Sequence, residues 1–561
     1  MDSAEHDRVS VDIQGSPEEE TPAVAADPEA DQPRNEGSAE GDIPSLPPTV
    51  PLRKTGLHVF FMDARHALKL DELGREIAQI AVPAAMALAA DPLASLVDTA
   101  FIGRIGPVEL AAVGVAISVF NQVSRVAIYP LVSVTTSFVA EELAACKLSA
   151  AGESEDDQDI ERTSPATAQA GGSSPPGDLD GAAPSSTPGA DRNQRNRARF
   201  GQQRKYFSSV SSALVVGGVL GLLQAILLIF AGKPFLNLMG VKSGSPMLIP
   251  ARQYLTLRAI GSPAVLFSLA MQGVFRGFKN TKTPLYATVA GDVTNIVLDP
   301  IFIFVFHMGV SGAAMAHVIS QYLISIILLW SLKQKVDILP PNIRDLKFGR
   351  FLKCGFLLLA RVVAVTFCVT LAASMAAHHG TIPMAAFQIC LQIWLTTSLL
   401  ADGLAVAGQA ILAGGFARGD HHKIIATTSR VLQLSVLLGS ILSILIGIGM
   451  KFGSGVFTKD KNVLKLVHIA IPFVAGTQTI NSLAFVFDGI NYGASDYAYS
   501  AYSMVLVAIV SIACLFFLSA SNGFIGIWVA LTIYMCLRMF AGVFRMGAAK
   551  GPWVFLTKIS C

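Results

Sequence analysis

Three polar groups stand at i, i+3 and i+7 in an otherwise apolar run, Gly291-Asp292-Val293-Thr294-Asn295-Ile296-Val297-Leu298-Asp299-Pro300. On a helix that spacing places Asp292, Asn295 and Asp299 on one stripe. Pro300 removes a backbone donor and frees a carbonyl near residue 296. Carboxylates, an amide and free carbonyl oxygens together suit a proton or a sodium ion; the structural alternative is an acid held permanently in an interhelical hydrogen bond. A second apolar run carries Asp91-Pro92 near its middle and Asp98-Thr99 closer to its outer end. Asp98 and Asp299 both fall in the outer part of outward-running helices, so they can meet at one depth. Two carboxylates at low dielectric cannot both stay ionised without a partner, which is what a proton coupler requires. Asp98 could instead snorkel to the interface, and Asp91 could form an ion pair with Arg125.

Arg361 is the only charge inside its apolar run, Leu359-Ala360-Arg361-Val362-Val363. A buried guanidinium can bind carboxylates through paired hydrogen bonds. Its structural partner would be Asp402, and Gln388, Gln392 and Gln409 add polar groups to the same segment as Asp402. Asp488 and Asp496 fall near segment ends, where solvation or capping competes with function. An ionisable group at the centre of a span costs roughly 2.5–3.5 kcal/mol on insertion scales, so each such group needs a reason to be there.

The elements that position these residues are membrane helices. With 52% hydrophobic and 15% charged residues in 561, and a mean hydropathy of +0.53, the chain is too apolar for a soluble protein of its length. A crossing needs roughly 20 apolar residues. Segments of that kind begin near 73, 108, 207, 250, 284, 310, 350, 383, 423, 463, 497 and 522, six in each half. The halves echo one another. Val274-Phe275-Arg276-Gly277-Phe278 answers Val486-Phe487-Asp488-Gly489-Ile490, Gly309-Val310-Ser311-Gly312 answers Gly523-Phe524-Ile525-Gly526, and Leu110-Ala111-Ala112 answers Met384-Ala385-Ala386. The spacing between matches contracts across the polar stretch 146–205, as an insertion there would produce. A duplicated membrane bundle points to a transporter.

Composition divides the chain into an acidic, disordered N-terminal tail (1–70), a first six-helix lobe (71–334) interrupted by a disordered loop (146–205), a linker (335–349), a second lobe (350–548) and a C-terminal tail (549–561). Lys and Arg collect on the side that holds both termini, which predicts that side to be cytoplasmic. The leader resembles neither a secretory nor an organelle-targeting segment. The seven cysteines show no metal-ligand spacing and predict no metal centre and no disulfide framework. No phosphate-binding loop, dinucleotide fingerprint, zinc-protease motif or nucleophile elbow is present, so neither ATP-driven transport nor hydrolysis is supported, and no cofactor is expected. The chain is read as a transporter in the lipid bilayer, driven by an ion gradient or membrane potential. It is expected to act as a monomer, without nucleic-acid partners.

Over about residues 70–548 the sequence resembles the multidrug and toxic compound extrusion (MATE) family. The likeness rests on Val97-Asp98-Thr99-Ala100-Phe101-Ile102-Gly103, on Arg276-Gly277-Phe278-Lys279-Asn280-Thr281-Lys282-Thr283-Pro284, and on Asn295-x-x-x-Asp299-Pro300. It implies an all-α, V-shaped membrane fold of twelve helices in two bundles that alternate in access. It also implies a cation site at Asp98, Asn295 and Asp299. The long loop after the second span, with Thr366-Phe367-Cys368-Val369-Thr370 and the stretch Phe485 to Asp496, is similar to the plant citrate-exporting branch. That likeness implies citrate release at the plasma membrane of root cells, for aluminium tolerance or iron delivery. Many drug-exporting members carry an acid in the seventh span where this chain has Arg361, which fits an anionic substrate. The alternatives are export of organic cations or alkaloids and, from another class, a flippase for lipid-linked substrates or a non-transporting receptor.

Overall fold

The computed structural model describes residues 71–162, 207–239, 241, 244–337, 348–458 and 460–559, all within one compact unit. The tail 1–70, most of the loop 146–205 and most of the linker 335–349 lie outside the described residues. The first half comprises α1 (Glu72–Gly103), α2 (Pro107–Arg162), α3 (Ser208–Leu238), α4 (Leu248–Ile260), α5 (Ser262–Gly277), α6 (Lys282–Pro300) and α7 (Val310–Lys333). The second comprises α8 (Phe348–His378), α9 (Thr381–Arg418), α10 (His421–Phe457), α11 (Lys461–Gly476), α12 (Gln478–Gly493) and α13 (Tyr497–Gly547), followed by a short α14 (Phe555–Ile559).

Among the described residues nine helices are long and apolar enough to cross a bilayer, and the bent pairs α4–α5 and α11–α12 each supply one more crossing. At 51 residues α13 would extend for roughly 76 Å, more than twice the hydrocarbon thickness. Gly523, at φ 56° and ψ −130°, breaks it into two arms. With each arm counted as a crossing, the described residues supply twelve, six in each half.

The duplication is visible in backbone geometry. The bends are 47° between α4 and α5 and 46° between α11 and α12. Gly309 opens α7 at φ 55° and ψ −131°, a near copy of Gly523. Lys279 and Ser495, both at positive φ, follow α5 and α12. This register pairs Gly277 with Gly493 and Val274 with Ile490. The echo of Val274 with Val486 is therefore displaced by about one helical turn, because apolar helices with glycine at four-residue intervals look alike one turn apart. The echoes of Gly309 with Gly523 and of Leu110 with Met384 fall at matching places in their helices.

Within the first half α5 packs on α2 and α3, and α6 on α1 and α7; within the second, α12 packs on α9 and α10, and α8 on α13. The halves meet where α1 and α2 lie against α9, and α2 against α8. Two expectations change. Helix α2 continues to Arg162, well into the stretch expected to be without structure, since extending an existing helix needs no new nucleus. The C-terminal tail folds back: Trp553 is fully buried with its ring 5.4 Å from that of Phe416, and Phe555 stacks on His421 at 4.3 Å.

Candidate functional site

Asp98 on α1 and Asn295 on α6 meet in the interior of the first half. The Asn295 amide donates to Asp98 Oδ1 at 2.7 Å. Both are buried, and Asp299, one turn further along α6, is 1% exposed and faces Asp98. The other atoms have no protein donor: Asn295 Oδ1, both carboxylate oxygens of Asp299 and Asp292 Oδ2 are buried without a hydrogen bond. Each such acceptor costs about 1–3 kcal/mol, so the cluster is chemically complete only with an added proton or cation. Helix α6 ends at Pro300 and passes into a π turn, Ile301–Val305, which widens the backbone beside Asp299. Among the described residues no group of three His, Cys, Asp or Glu closes to metal-ligating geometry. Two carboxylates and an amide match a proton or monovalent ion better than a tightly caged divalent one.

Asp292 joins this chamber within electrostatic reach of Asp91 and Asp98. Asp91 does not pair with Arg125 among the described residues; the positive charge acting on it belongs to Arg258 of α4. The Arg258 guanidinium donates to Tyr254 Oη at 3.1 Å and lies 4.9 Å from the Phe120 ring, while its Nε has no partner. Tyr254 in turn lies within reach of Asp98 and Asp299, and Arg258 acts on His317 of α7. Tyr254, Arg258 and His317 were not expected from the sequence. Arg258 carries the same signal as Arg361, a charge within an apolar helix, but it follows Arg252 near a segment end, where a guanidinium reads as snorkelling.

In the second half the expected pair of Arg361 with Asp402 is replaced. Asp488 on α12 forms ion pairs with Arg361 of α8 and with Arg538 of α13, and all three are buried. Tyr492 and Phe485 cover the two guanidinium groups, at 5.3 and 4.5 Å from their ring centres. The reason is geometric: α8 and α12 both pack on α13, and α12 presents Asp488 to Arg361 and Arg538. Asp488 is thus a buried counter-ion rather than a solvated end group. Two guanidinium groups on one carboxylate leave an excess positive charge. Asp402 lies instead within reach of Arg276 of α5 and of Arg538. Tyr129 on α2 feels the charges of Asp402, Arg125, Arg538 and Arg276, yet is 47% exposed; Arg125 is also exposed. These groups lie within electrostatic reach of one another across the two halves.

The remaining candidates separate clearly. Gln409 donates to Ser133 O at 2.8 Å and Ser137 Oγ at 2.9 Å, so it ties α9 to α2. Gln388 and Gln392 are exposed on α9. Asp496 pairs with Arg545 at 2.6 Å at the start of α13 and its side chain makes no cap bond.

Both described chain ends lie at the same, basic end of the bundle. There Asp71 caps α1 and pairs with Arg430 at 2.6 Å, Glu141 of α2 meets Arg350 of α8 at 2.8 Å, and Glu76 of α1 binds both Lys279 and Lys423. Burial pushes the Lys279 ammonium down, and its bond to Glu76 acts in the opposite sense. The contacts of Asp71 with Arg430, Glu141 with Arg350 and Glu76 with Lys423 hold the halves together at this end.

The sequence profile of the MatE family matches residues 200–301 and 358–517. Protein DETOXIFICATION 42 of Arabidopsis thaliana is 59% identical over 507 residues, covering 89% of this chain and 97% of that one. Protein DETOXIFICATION 43 of the same plant is 58% identical, covering 89% and 95%. The crystal structure of the eukaryotic MATE transporter AtDTX14 superposes with a TM-score of 0.68 at 12% identity, covering 87% of this chain and 98% of that one. MATE transporters couple to cation gradients, and full-length identity of this degree carries the whole architecture with it. The chain belongs to the multidrug and toxic compound extrusion family of membrane transporters and is not an enzyme.

Proposed function

We propose that this transporter exports citrate from the cytosol by alternating access, driven by a proton or sodium gradient. It acts in the plasma membrane, with the basic end and both termini on the cytoplasmic side. The observation that carries the substrate reading is the interior charge balance. Among the described residues, Arg125, Arg276, Arg361 and Arg538 gather about Asp402 and Asp488, whereas Asp91, Asp98, Asp292 and Asp299 gather between α1 and α6. A tricarboxylate is attracted to the first zone and a cation to the second, so substrate and coupling ion bind without competing for the same groups. Arg361 serves this reading from behind: its pairing with Asp488 keeps it from direct contact in this conformation, and the exposed Arg125, with the half-buried Arg276 beside it, meets the carboxylates first. Asp98, Asn295 and Asp299, with Asp292 beside them, take up the coupling ion, and its binding biases the two halves between outward and inward access.

The acid chamber itself favours one other reading, export of organic cations seated between Asp91, Asp98, Asp292 and Asp299. Counterflow in proteoliposomes separates the two. Internal citrate should accelerate uptake of labelled citrate while a tetraalkylammonium ion has no effect; acceleration by the cation alone would replace the citrate reading.

A further inference from the structure

At the basic end, a pocket of about 430 Å³ opens between the halves. Its volume falls within the roughly 300–1,000 Å³ of small-molecule sites. Five basic side chains line it, Arg75, Lys147, Lys279, Arg418 and Lys423, against the carboxylates of Glu72 and Glu76. Small residues also line it, Ala140 on α2, Gly277 on α5 and Gly414 on α9. Arg75, Lys147 and Arg418 form no ion pair among the described residues. Glu76 bridges the halves: one carboxylate oxygen binds Lys279 of the first half, and the other accepts from Lys423 of the second at 3.0 Å. Its side chain and those of both lysines keep about a quarter to a third of their surface exposed. The contact is therefore reachable from the pocket.

We infer that this pocket is a loading site for a multiply charged carboxylate anion, and that the anion displaces Glu76 from Lys279 and Lys423 and so loosens the seam between the halves. Glu76 occupies the lysine pair as an internal stand-in for one substrate carboxylate. A dicarboxylate or tricarboxylate can take over both lysines and reach Arg75, Lys147 or Arg418 with its other groups, which a single tethered carboxylate cannot. Loading then favours the conformation open at this end, because the anion keeps both lysines paired after α1 and α10 have parted. The other cross-half contacts, Asp71 with Arg430 and Glu141 with Arg350, resist opening, so release of Glu76 shifts the balance without completing it. The inference rests on the proposed orientation and on an organic polyanion as substrate.

The test uses full-length protein in lipid nanodiscs with spin labels at Lys282 and His422, one in each half next to the clamped lysines. Citrate should increase the long-distance population, whereas chloride at equal ionic strength should not. Loss of one partly exposed ion pair shifts such a balance by up to about fivefold. Glu76→Gln should show the increase without citrate, and Lys423→Gln should abolish the response to citrate. Unchanged distances in wild-type protein with both citrate and malate, or in Glu76→Gln without either, would overturn the inference even if citrate efflux were intact, as would opening by phosphate alone. Opening by malate but not citrate would keep the loading site and remove citrate as its ligand.

Discussion

Asn295 reaches across from α6 to donate to Asp98 Oδ1 at 2.7 Å, leaving its own amide oxygen and both oxygens of Asp299 without donors. The bond ties the two helices together and leaves those buried acceptors to a proton or a cation. In the proposed coupling, the species bound there sets the relative stability of the packings of α1 on α6.

Asp299→Asn supplies a donor where none exists. Transport should lose its dependence on the imposed pH or sodium gradient, with gradient-driven efflux falling by about tenfold or more. Thermal stability should change by less than about 1 kcal/mol, because no ion pair is broken. Proteoliposome flux with and without a gradient, beside a melting curve, checks both; a fully retained gradient response would make Asp299 structural.

Asp488→Asn has the opposite signature. It strands two buried guanidinium groups, and breaking a buried pair in this way costs about 3–5 kcal/mol. The expected result is a large drop in the detergent melting temperature with little folded protein recovered. The double change Asp488→Asn with Arg538→Met should regain part of the loss, which a double-mutant cycle measures directly.

Gly523→Ala tests the hinge that divides α13. Nothing lies within 4 Å of the position a β-carbon would take, so the penalty is conformational only. A positive-φ backbone should cost about 1–2 kcal/mol with alanine. Gly489→Ala instead drives a methyl into the backbone of Ala405 and should be the worse of the two, by melting temperature, because α9 and α12 must part.

Truncation before Gly551 removes Trp553, which is fully buried against Phe416. Loss of an aromatic from such a site costs roughly 3–5 kcal/mol. Trp553→Ala should therefore lower the melting temperature nearly as much as deletion of the tail. A negligible effect would mean that the tail packs without supporting the second half.

The fold was legible because hydrophobic length is a one-dimensional signal: each crossing begins within about two residues of its apolar run. The stripe of Asp292, Asn295 and Asp299 was legible for the same reason, since helical periodicity alone places them together. Its meeting with Asp98 needed only equal depth on neighbouring helices. What periodicity does not encode is which helix lies opposite which. Arg361 could pair with Asp402 or Asp488 with equal local logic, and only the packing of α8 on α13, with Asp488 presented by α12, decides. Arg258 was lost similarly, because whether a charge near a segment end turns inward or snorkels depends on the neighbouring Tyr254 and Phe120. Trp553 shows the limit at the chain end, where composition reads as a tail and a single buried ring makes it part of the fold.

The most direct test of the central claim is efflux of labelled citrate from preloaded proteoliposomes under an imposed gradient, comparing wild type with Arg276→Gln and including a labelled organic cation. Citrate should leave in wild type, fall by at least about fivefold in the variant through loss of a charge-assisted contact, and the cation should stay inside in both. Cation efflux without citrate movement would contradict the account.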